Sequence, residues 1–496
     1  MFEKITPEQA GIPSASVERY IRTLEKRGVV THSLLLMKGS SIFAEYYWKP
    51  FHKDFCHRMY SETKSFVGIA IGLLEEDGLL SLSDPIASFF PDKIDRELPR
   101  NLAAQTVRDM LTMQTCGKPP SWFAHSDPDR THLYFEENAA TLPSGMRFFY
   151  DSPGSQVLCA LVERLSGKSL FDFLNERIFC HLNTFKTATV LKTKTDDSFG
   201  DSALLATPRD MASFARFVMN YGTWEGKRLM NEAYLKTATS RVVDNNETGF
   251  DGVFSHGYGY QIWRTEQNSF AFNGMGCQFT VCVPDRDLIM VYNGDNQGYK
   301  QASTWIVGGF FDFIVDAASD EPLSEDSESF DRLEKLGNEL SLYAIGGERS
   351  TAFAKVLSGR EYICAENACG IKRFSLRFYG DDRGEFCYTN EQGDKVLPFG
   401  MCRNEFSKFP QFGYSNEHAG LPTTDGFLYD CAASAAWREE KKLLLKLQII
   451  DRYFGNFLAV FSFKDDIATI TIQKFAEAFL NEYKGEIVAK IKELER

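Results

Sequence analysis

No stretch of the 496 residues approaches the ~18 uninterrupted apolar residues of a membrane-spanning helix, so no membrane partner is expected. The opening MFEKITPEQAGIPSASVERY lacks the apolar core of a secretory leader, and a cytoplasmic location is expected. Neither C-x-x-C nor H-E-x-x-H occurs, and Cys277/Cys282 and Cys364/Cys369 are spaced wrongly for structural zinc. Eleven cysteines is an odd number, which without an export signal reads as buried thiols. The α/β-hydrolase elbow G-x-S-x-G and the dinucleotide fingerprint G-x-G-x-x-G are missing. Gly167-Lys168-Ser169 resembles the end of a phosphate loop, but Val162 occupies the place of its first glycine. Excess positive charge is absent too. The formal charge is −13, which repels polyanions on average, so no nucleic-acid partner is expected.

What is present is a globular composition, 43% hydrophobic and 25% charged, at a length that suits two or three domains. The 42 phenylalanines imply large aromatic cores. Val17–Arg27 carries helical spacing, and Ser33–Lys38 and Ile42–Trp48 read as a hairpin. Phe66, Ile69, Ala70, Leu73 and Leu74 recur at helical spacing after Ser61-Glu62-Thr63-Lys64-Ser65, with Gly78 as the stop. Further helices are expected at Thr106–Met113, Gln156–Leu165, Leu170–Ile178, Arg209–Tyr221 and Gln301–Phe313. Gly257–Arg264, Cys277–Val283 and Leu288–Asn293 read as strands of one sheet. The expected first domain, 1–318, is therefore α+β. Residues 319–340 are acidic and poor in apolar side chains, and they read as a linker. From 341 to 496 the pattern is mostly period two, with Leu443, Leu445, Leu447 and Ile449 alternating. That pattern predicts a small antiparallel β domain, sandwich or barrel, ending in a short helix or strand near 476–494.

Three short elements carry chemistry. Ser61 and Lys64 lie three apart at the start of a helix, so their side chains share a face. A serine hydroxyl becomes a nucleophile when a neighbouring base takes its proton, and a lysine one turn away can do so. The helix start adds free N–H groups suited to an oxyanion. Ser61 is the only serine with lysine at +3. A capped helix with a solvated lysine is the plain alternative. Tyr150-Asp151-Ser152 precedes the helix near Gln156. A tyrosine beside a lysine ammonium can act as base and then as acid, and Ser152 can relay a proton or bind substrate. In Phe272-Asn273-Gly274-Met275-Gly276, glycines permit close approach of a ligand, and an edge N–H can give a second oxyanion donor. Alone, these two elements are equally a buried loop tyrosine and an ordinary hairpin.

Taken in order, TPEQAGIPS, MYSETKSF, DGLLSLSDPIASFFPD, TVRDMLTMQTCG, FFYDS, LATPRDMASFARFVMNYGTWEGKRLM, GYGYQIW and NGMGCQFTVCVPDRDL resemble the serine β-lactamase-like superfamily. Its members include penicillin-binding proteins, class C β-lactamases, family VIII esterases and 6-aminohexanoate-dimer-hydrolase-like enzymes. The resemblance spans most of residues 5–315. It implies a β-lactamase/transpeptidase-like catalytic domain, an antiparallel sheet flanked by helices with a helical subdomain. It also implies Ser61 as nucleophile, Lys64 as its partner and Tyr150 as the tyrosine of the Y-x-N/S motif. Ser152 stands at that motif's third position. Phe272-Asn273-Gly274 stands at the K-T-G-like motif as substrate-binding residues, with the N–H groups of Ser61 and Met275 forming the oxyanion hole. Phe272 replaces the usual Lys or His, and Ser152 replaces a frequent Asn. Both departures favour an esterase or amidase over a β-lactamase or D,D-peptidase. Cys180-His181-Leu182-Asn183 replaces the family's P-L-G, ahead of the loop 183–200. Residues after 320 resemble the β-rich extensions of some members.

The sequence thus leads to a serine hydrolase acting through an acyl-enzyme on a small ester or amide, without metal or organic cofactor. A D-amino-acid amidase, peptidase or β-lactamase is the nearest alternative. A catalytically silent binding protein, with the C-terminal domain holding a partner, is the alternative of a different class.

Overall fold

The computed structural model describes residues 2–119, 121, 125–246, 252–412, 415, 417–418, 426–476 and 479–492. The chain divides into two units, 1–341 with 417–419, and 342–416 with 420–496.

The first unit is built on a seven-stranded sheet. Its strands are β1 (Glu3–Lys4), β2 (Thr31–Lys38), β3 (Ser41–Tyr47), β4 (Trp263–Arg264), β5 (Phe270–Gly274), β6 (Gln278–Val283) and β7 (Leu288–Gly294). They lie in the order β1-β3-β2-β7-β6-β5-β4. Only β1 runs parallel to its neighbour. The β6–β7 hairpin turns at Pro284–Asp287, where Asp287 has φ 53°. Every residue of β6 and β7 is buried, because both faces of the sheet are covered.

The longer helices are α1 (Ser14–Lys26), α2 (Thr63–Glu76), α3 (Arg130–Glu137), α4 (Ser152–Ser166), α5 (Pro208–Met219) and α6 (Ser327–Glu339). Of these, α1 and α6 cover one face and α2 and α5 the other, while α4 packs onto α2 and α3 onto α4. Alternation along the strands separates two cores. Leu288, Met290 and Tyr292 join Tyr20, Ile21 and Phe310 on one face. Ile289 and Val291 join Phe66, Phe214 and Leu158 on the other. The α2 helix is buried from Thr63 to Leu74. Added Cβ atoms at Gly68 and Gly72 would stand 2.8 Å from the Tyr260 carbonyl and 2.4 Å from Met230 and Tyr234, so glycine there lets neighbours close on the helix.

Several expectations need correction. The stretch 319–340 is not a linker. Glu328, Asp331, Glu334 and Glu339 lie on the outer face of α6, while Leu333, Leu336 and, just past its end, Leu340 complete the core beside α1. The amphipathic spacing, not the acidity, decides its structure. The expected strand 257–264 shrinks to β4, because Gly257 and Gln261 have positive φ and bend the chain. The helices expected at 301–313 and 170–178 are present, but they run on to Val315 and Leu182 and contain π-helical turns at Thr304–Gly308, Phe311–Val315 and Asn175–Phe179.

The second unit is a closed β-barrel. Strands Glu361–Cys364, Arg373–Tyr379, Arg383–Asn390 and Gly393–Met401 form one antiparallel run. Asp430–Glu439, Lys442–Ile450, Phe454–Lys464, Ile467–Phe475 and Gly485–Ile491 form a second. Gly485–Ile491 joins Glu361–Cys364, and a parallel pairing of Gly400 with Ser434 and Met401 with Ala435 closes the ring. Leu443, Leu445, Leu447, Phe457, Ala459 and Phe461 fill the interior, as the period-two pattern implies. Of the expected helix or strand at 476–494, residues 477–478 and 493–494 lie outside the described residues, and 485–491 is a strand.

Candidate active site

The turn before α2 is built to present one side chain. Met59 is held by its N–H on the Leu204 carbonyl at 2.9 Å. Tyr60 then takes φ 46°, a left-handed conformation that costs a non-glycine residue roughly 1–3 kcal/mol. Ser61 follows in a single 3-10 turn, Tyr60–Glu62, that runs into α2. The Thr63 hydroxyl donates to the Tyr60 carbonyl at 2.6 Å and accepts from the Leu204 N–H at 3.1 Å, which locks the turn from below. Glu62 points into the protein, where its carboxylate accepts from the Thr280 hydroxyl of β6 at 2.9 Å. Burial holds the Glu62 carboxyl well above the usual range.

Lys64 is 1% exposed, and its Nζ donates to Ser61 Oγ at 2.8 Å and to the Asp201 carbonyl at 2.6 Å. The same Nζ lies 5.2 Å from the centre of the Tyr150 ring. The ring of Tyr150 is half-buried and stacks on Trp263, with centroids 5.6 Å apart. The structure therefore gathers Ser61, Lys64 and Tyr150, 89 positions apart at the extremes, into one cluster.

Below Tyr150, Asp151 caps α4 by accepting from the Gly154 N–H at 3.0 Å, and Ser152 opens the helix. Burial pushes the Asp151 carboxyl up to about 6, against the pull of the Gly154 N–H and the hydroxyls of Thr115 and Tyr134. Gln105 ties this cap to the preceding loop, donating to the Tyr134 hydroxyl at 2.9 Å and accepting from the Cys116 N–H at 2.8 Å. Gln261 joins three helical elements. It accepts from the Ser155 hydroxyl of α4 at 2.7 Å, its carbonyl accepts from the Ser65 hydroxyl of α2 at 2.7 Å, and its amide donates to the Met110 carbonyl at 2.9 Å.

The third element lies at the end of β5. Gly274 is buried against the Met59 carbonyl of the turn before α2, and Asn273 is half-buried. Gly276 and Cys277 take φ 76° and 71°, reversing the chain after Met275. Gln278 donates from Nε2 to the Met275 carbonyl at 3.0 Å and to the Gly294 carbonyl at 2.7 Å, which fixes that turn. Phe272 departs from the expected substrate-binding role. Its side chain is fully buried beside Phe214, Phe270 and Phe66, at centroid distances of 5.6, 6.3 and 6.5 Å. Strand alternation sends Phe270 and Phe272 to the α5 side together.

Sequence reading missed Glu62, Gln261 and Asp201. Gln261 lies in the quoted stretch GYGYQIW and Glu62 inside MYSETKSF, but Asp201 touches Lys64 through a backbone carbonyl, which any residue type offers.

The family model described as Beta-lactamase matches residues 17–302. The 6-aminohexanoate-dimer hydrolase of Paenarthrobacter ureafaciens is 24% identical over 291 residues, covering 55% of this chain and 74% of that protein. Among solved structures, a Bacillus anthracis protein named as a candidate 6-aminohexanoate-dimer hydrolase is similar at TM-score 0.52 and 19% identity. That alignment covers 64% of this chain and 86% of that one. A penicillin-binding protein homologue from Caulobacter crescentus is similar at TM-score 0.50 and 16% identity, covering 61% and 98%. At these identities the structural likeness speaks for the fold, a β-lactamase/transpeptidase-like catalytic domain.

Proposed function

The chain belongs to the Beta-lactamase family, a family of hydrolases, and from that premise we propose that it is a serine hydrolase working through an acyl-enzyme on a small ester or linear amide. One observation carries the reading: Lys64 Nζ stands 2.8 Å from Ser61 Oγ with the Tyr150 ring beside it. In this mechanism Lys64 and Tyr150 together remove the Ser61 proton, the Tyr150 oxygen taking it while the Lys64 ammonium steadies the phenolate and the serine oxygen, as Oγ attacks the substrate carbonyl carbon. The backbone N–H groups of Ser61 and Met275 hold the oxyanion, and one such donor is typically worth ~2.7–4 kcal/mol. Collapse of the tetrahedral intermediate expels an alcohol or amine that takes its proton from Tyr150. Water then attacks the acyl-enzyme, and Ser61 recovers its proton.

Burial of Phe272 supports the choice of substrate, because no cation stands at that position to grip a penicillin carboxylate. A relative named for hydrolysing the 6-aminohexanoate dimer favours a linear amide. We place the protein in the cytoplasm, in keeping with buried thiols at Cys116, Cys159, Cys282, Cys369 and Cys431. No described helix is long and apolar enough to cross a membrane.

Turnover of p-nitrophenyl butyrate, nitrocefin and 6-aminohexanoate dimer by wild type and Ser61→Ala tests the reading. Loss of ester or linear-amide turnover in the variant is expected. Nitrocefin as the preferred substrate contradicts the substrate class, and undiminished turnover by Ser61→Ala contradicts the mechanism.

A further inference from the structure

Residues 199–202 belong to none of the three motifs, yet three cations converge on them. The guanidinium of Arg130, at the start of α3, lies 3.8 Å from the centre of the Phe199 ring. Lys64 Nζ donates to the Asp201 carbonyl at 2.6 Å. Arg58 Nε donates to the Ser202 carbonyl at 3.0 Å. Asp201 stands among them, 3% exposed, and its Oδ1 has no hydrogen-bond partner among the described residues.

We infer that Asp201 is a positioning residue for Lys64, its carbonyl fixing where the amine sits and its carboxylate balancing the cations that meet there. This rests on the hydrolase reading above. Lysine has three N–H donors, and two of those on Lys64 are committed to Ser61 and Asp201. With the carboxylate neutralised, the ammonium and two guanidiniums repel one another in a poorly solvated site, and the amine is pushed off its line to Ser61.

Other titratable groups around the cluster offer no substitute. Glu62, beside Ser61, points to Thr280, and burial holds its carboxyl well above the usual range. On α4, burial keeps the Cys159 thiol neutral and pushes the Glu163 carboxyl up. Asp197 is exposed, and Tyr150 presents its ring to Lys64. Burial pushes the Asp201 carboxyl above the usual aspartate range, while Lys64, then Arg130, the Ser202 hydroxyl and Arg58 pull it back down. Its titration therefore answers to the neighbouring cations, and removing one of them moves it upward.

The experiment compares the full chain as wild type, Ser61→Ala, Asp201→Asn and Arg130→Gln, measuring kcat and KM for p-nitrophenyl butyrate from pH 4 to 9. Asp201→Asn keeps the backbone carbonyl and the side-chain shape. We expect its kcat to fall by on the order of 10-fold with KM unchanged, and the acid limb of the wild-type profile to vanish. Arg130→Gln removes a cation that favours the ionised carboxyl, so the limb moves to higher pH; this arm stands even if Asp201→Asn fails to fold. Ser61-dependent turnover with an unmoved limb in Arg130→Gln, or with a wild-type kcat and profile in Asp201→Asn, overturns the inference and leaves the hydrolase reading intact. Wild-type turnover that does not depend on Ser61 overturns the hydrolase reading and the inference with it.

Discussion

Gly274 and Met59 meet backbone to backbone: a Cβ built on Gly274 stands 2.2 Å from the Met59 carbonyl oxygen. The strand that carries the third motif is therefore pressed directly onto the turn that carries Ser61, with no side chain between them. Gly274→Ala must separate the two by an ångström or more. Misplacement on that scale costs about 10²-fold in rate. We expect kcat for p-nitrophenyl butyrate to fall by roughly that factor, while circular dichroism shows a folded protein.

Tyr150→Phe separates the hydroxyl from the ring. The stack on Trp263 survives, so the thermal midpoint should stay within about 2 °C of wild type. Loss of the proton carrier should lower kcat by about 10²–10⁴-fold. A variant with normal kcat removes Tyr150 from the mechanism.

Gln261→Leu removes the side-chain hydrogen bonds to the Ser155 hydroxyl and to the Met110 and Leu111 carbonyls, leaving Ser155 its 3.3 Å bond to the Asp151 carbonyl and Met110 its bond from the Met113 N–H. Each lost buried hydrogen bond costs about 0.5–1.5 kcal/mol. We expect the urea midpoint of the catalytic unit to drop by an amount corresponding to at least about 2 kcal/mol. An unchanged midpoint means that Gln261 does not join α2, α4 and the 107–111 helix energetically.

Asp151 gives a pH signature. Its carboxyl titrates at about 6 in the folded chain, against an ordinary 3.8. Below the unfolded value both states hold the proton and there is no penalty. Between the two values only the folded state holds it, so stability falls as pH rises and the full loss is reached above about 6. The shift corresponds to about 3 kcal/mol. Asn also serves as a helix cap. Asp151→Asn should therefore gain on wild type by up to that amount in urea melts between pH 3.5 and 7. A constant difference across that range contradicts the buried, proton-holding carboxyl.

Much of this molecule can be read from its sequence because the relevant signals are local. The apolar period from Phe66 to Leu74 marks α2, and alternation from Leu443 to Ile449 marks a barrel strand. What escaped depends on contacts between distant segments. Acidity at 319–340 concealed Leu333, Leu336 and Leu340, whose helical spacing buries them beside α1. The resemblance put Phe272 at a ligand-gripping position, although Phe270-Ala271-Phe272 already alternates as a strand that buries both rings on one face. The motifs named Ser61, Lys64 and Tyr150, and the structure brings those three together. Asp201 carries no comparable mark, since its link to Lys64 is a main-chain oxygen reached across 137 positions.

Treatment of the full chain with a fluorophosphonate, followed by digestion and mass spectrometry, most directly tests whether the Ser61 hydroxyl is the activated nucleophile. The account predicts a single adduct on the peptide containing Ser61, absent in Ser61→Ala and formed far more slowly in Lys64→Ala. A folded wild-type protein that takes up no label, or takes it up on another residue with Ser61 unmodified, contradicts it.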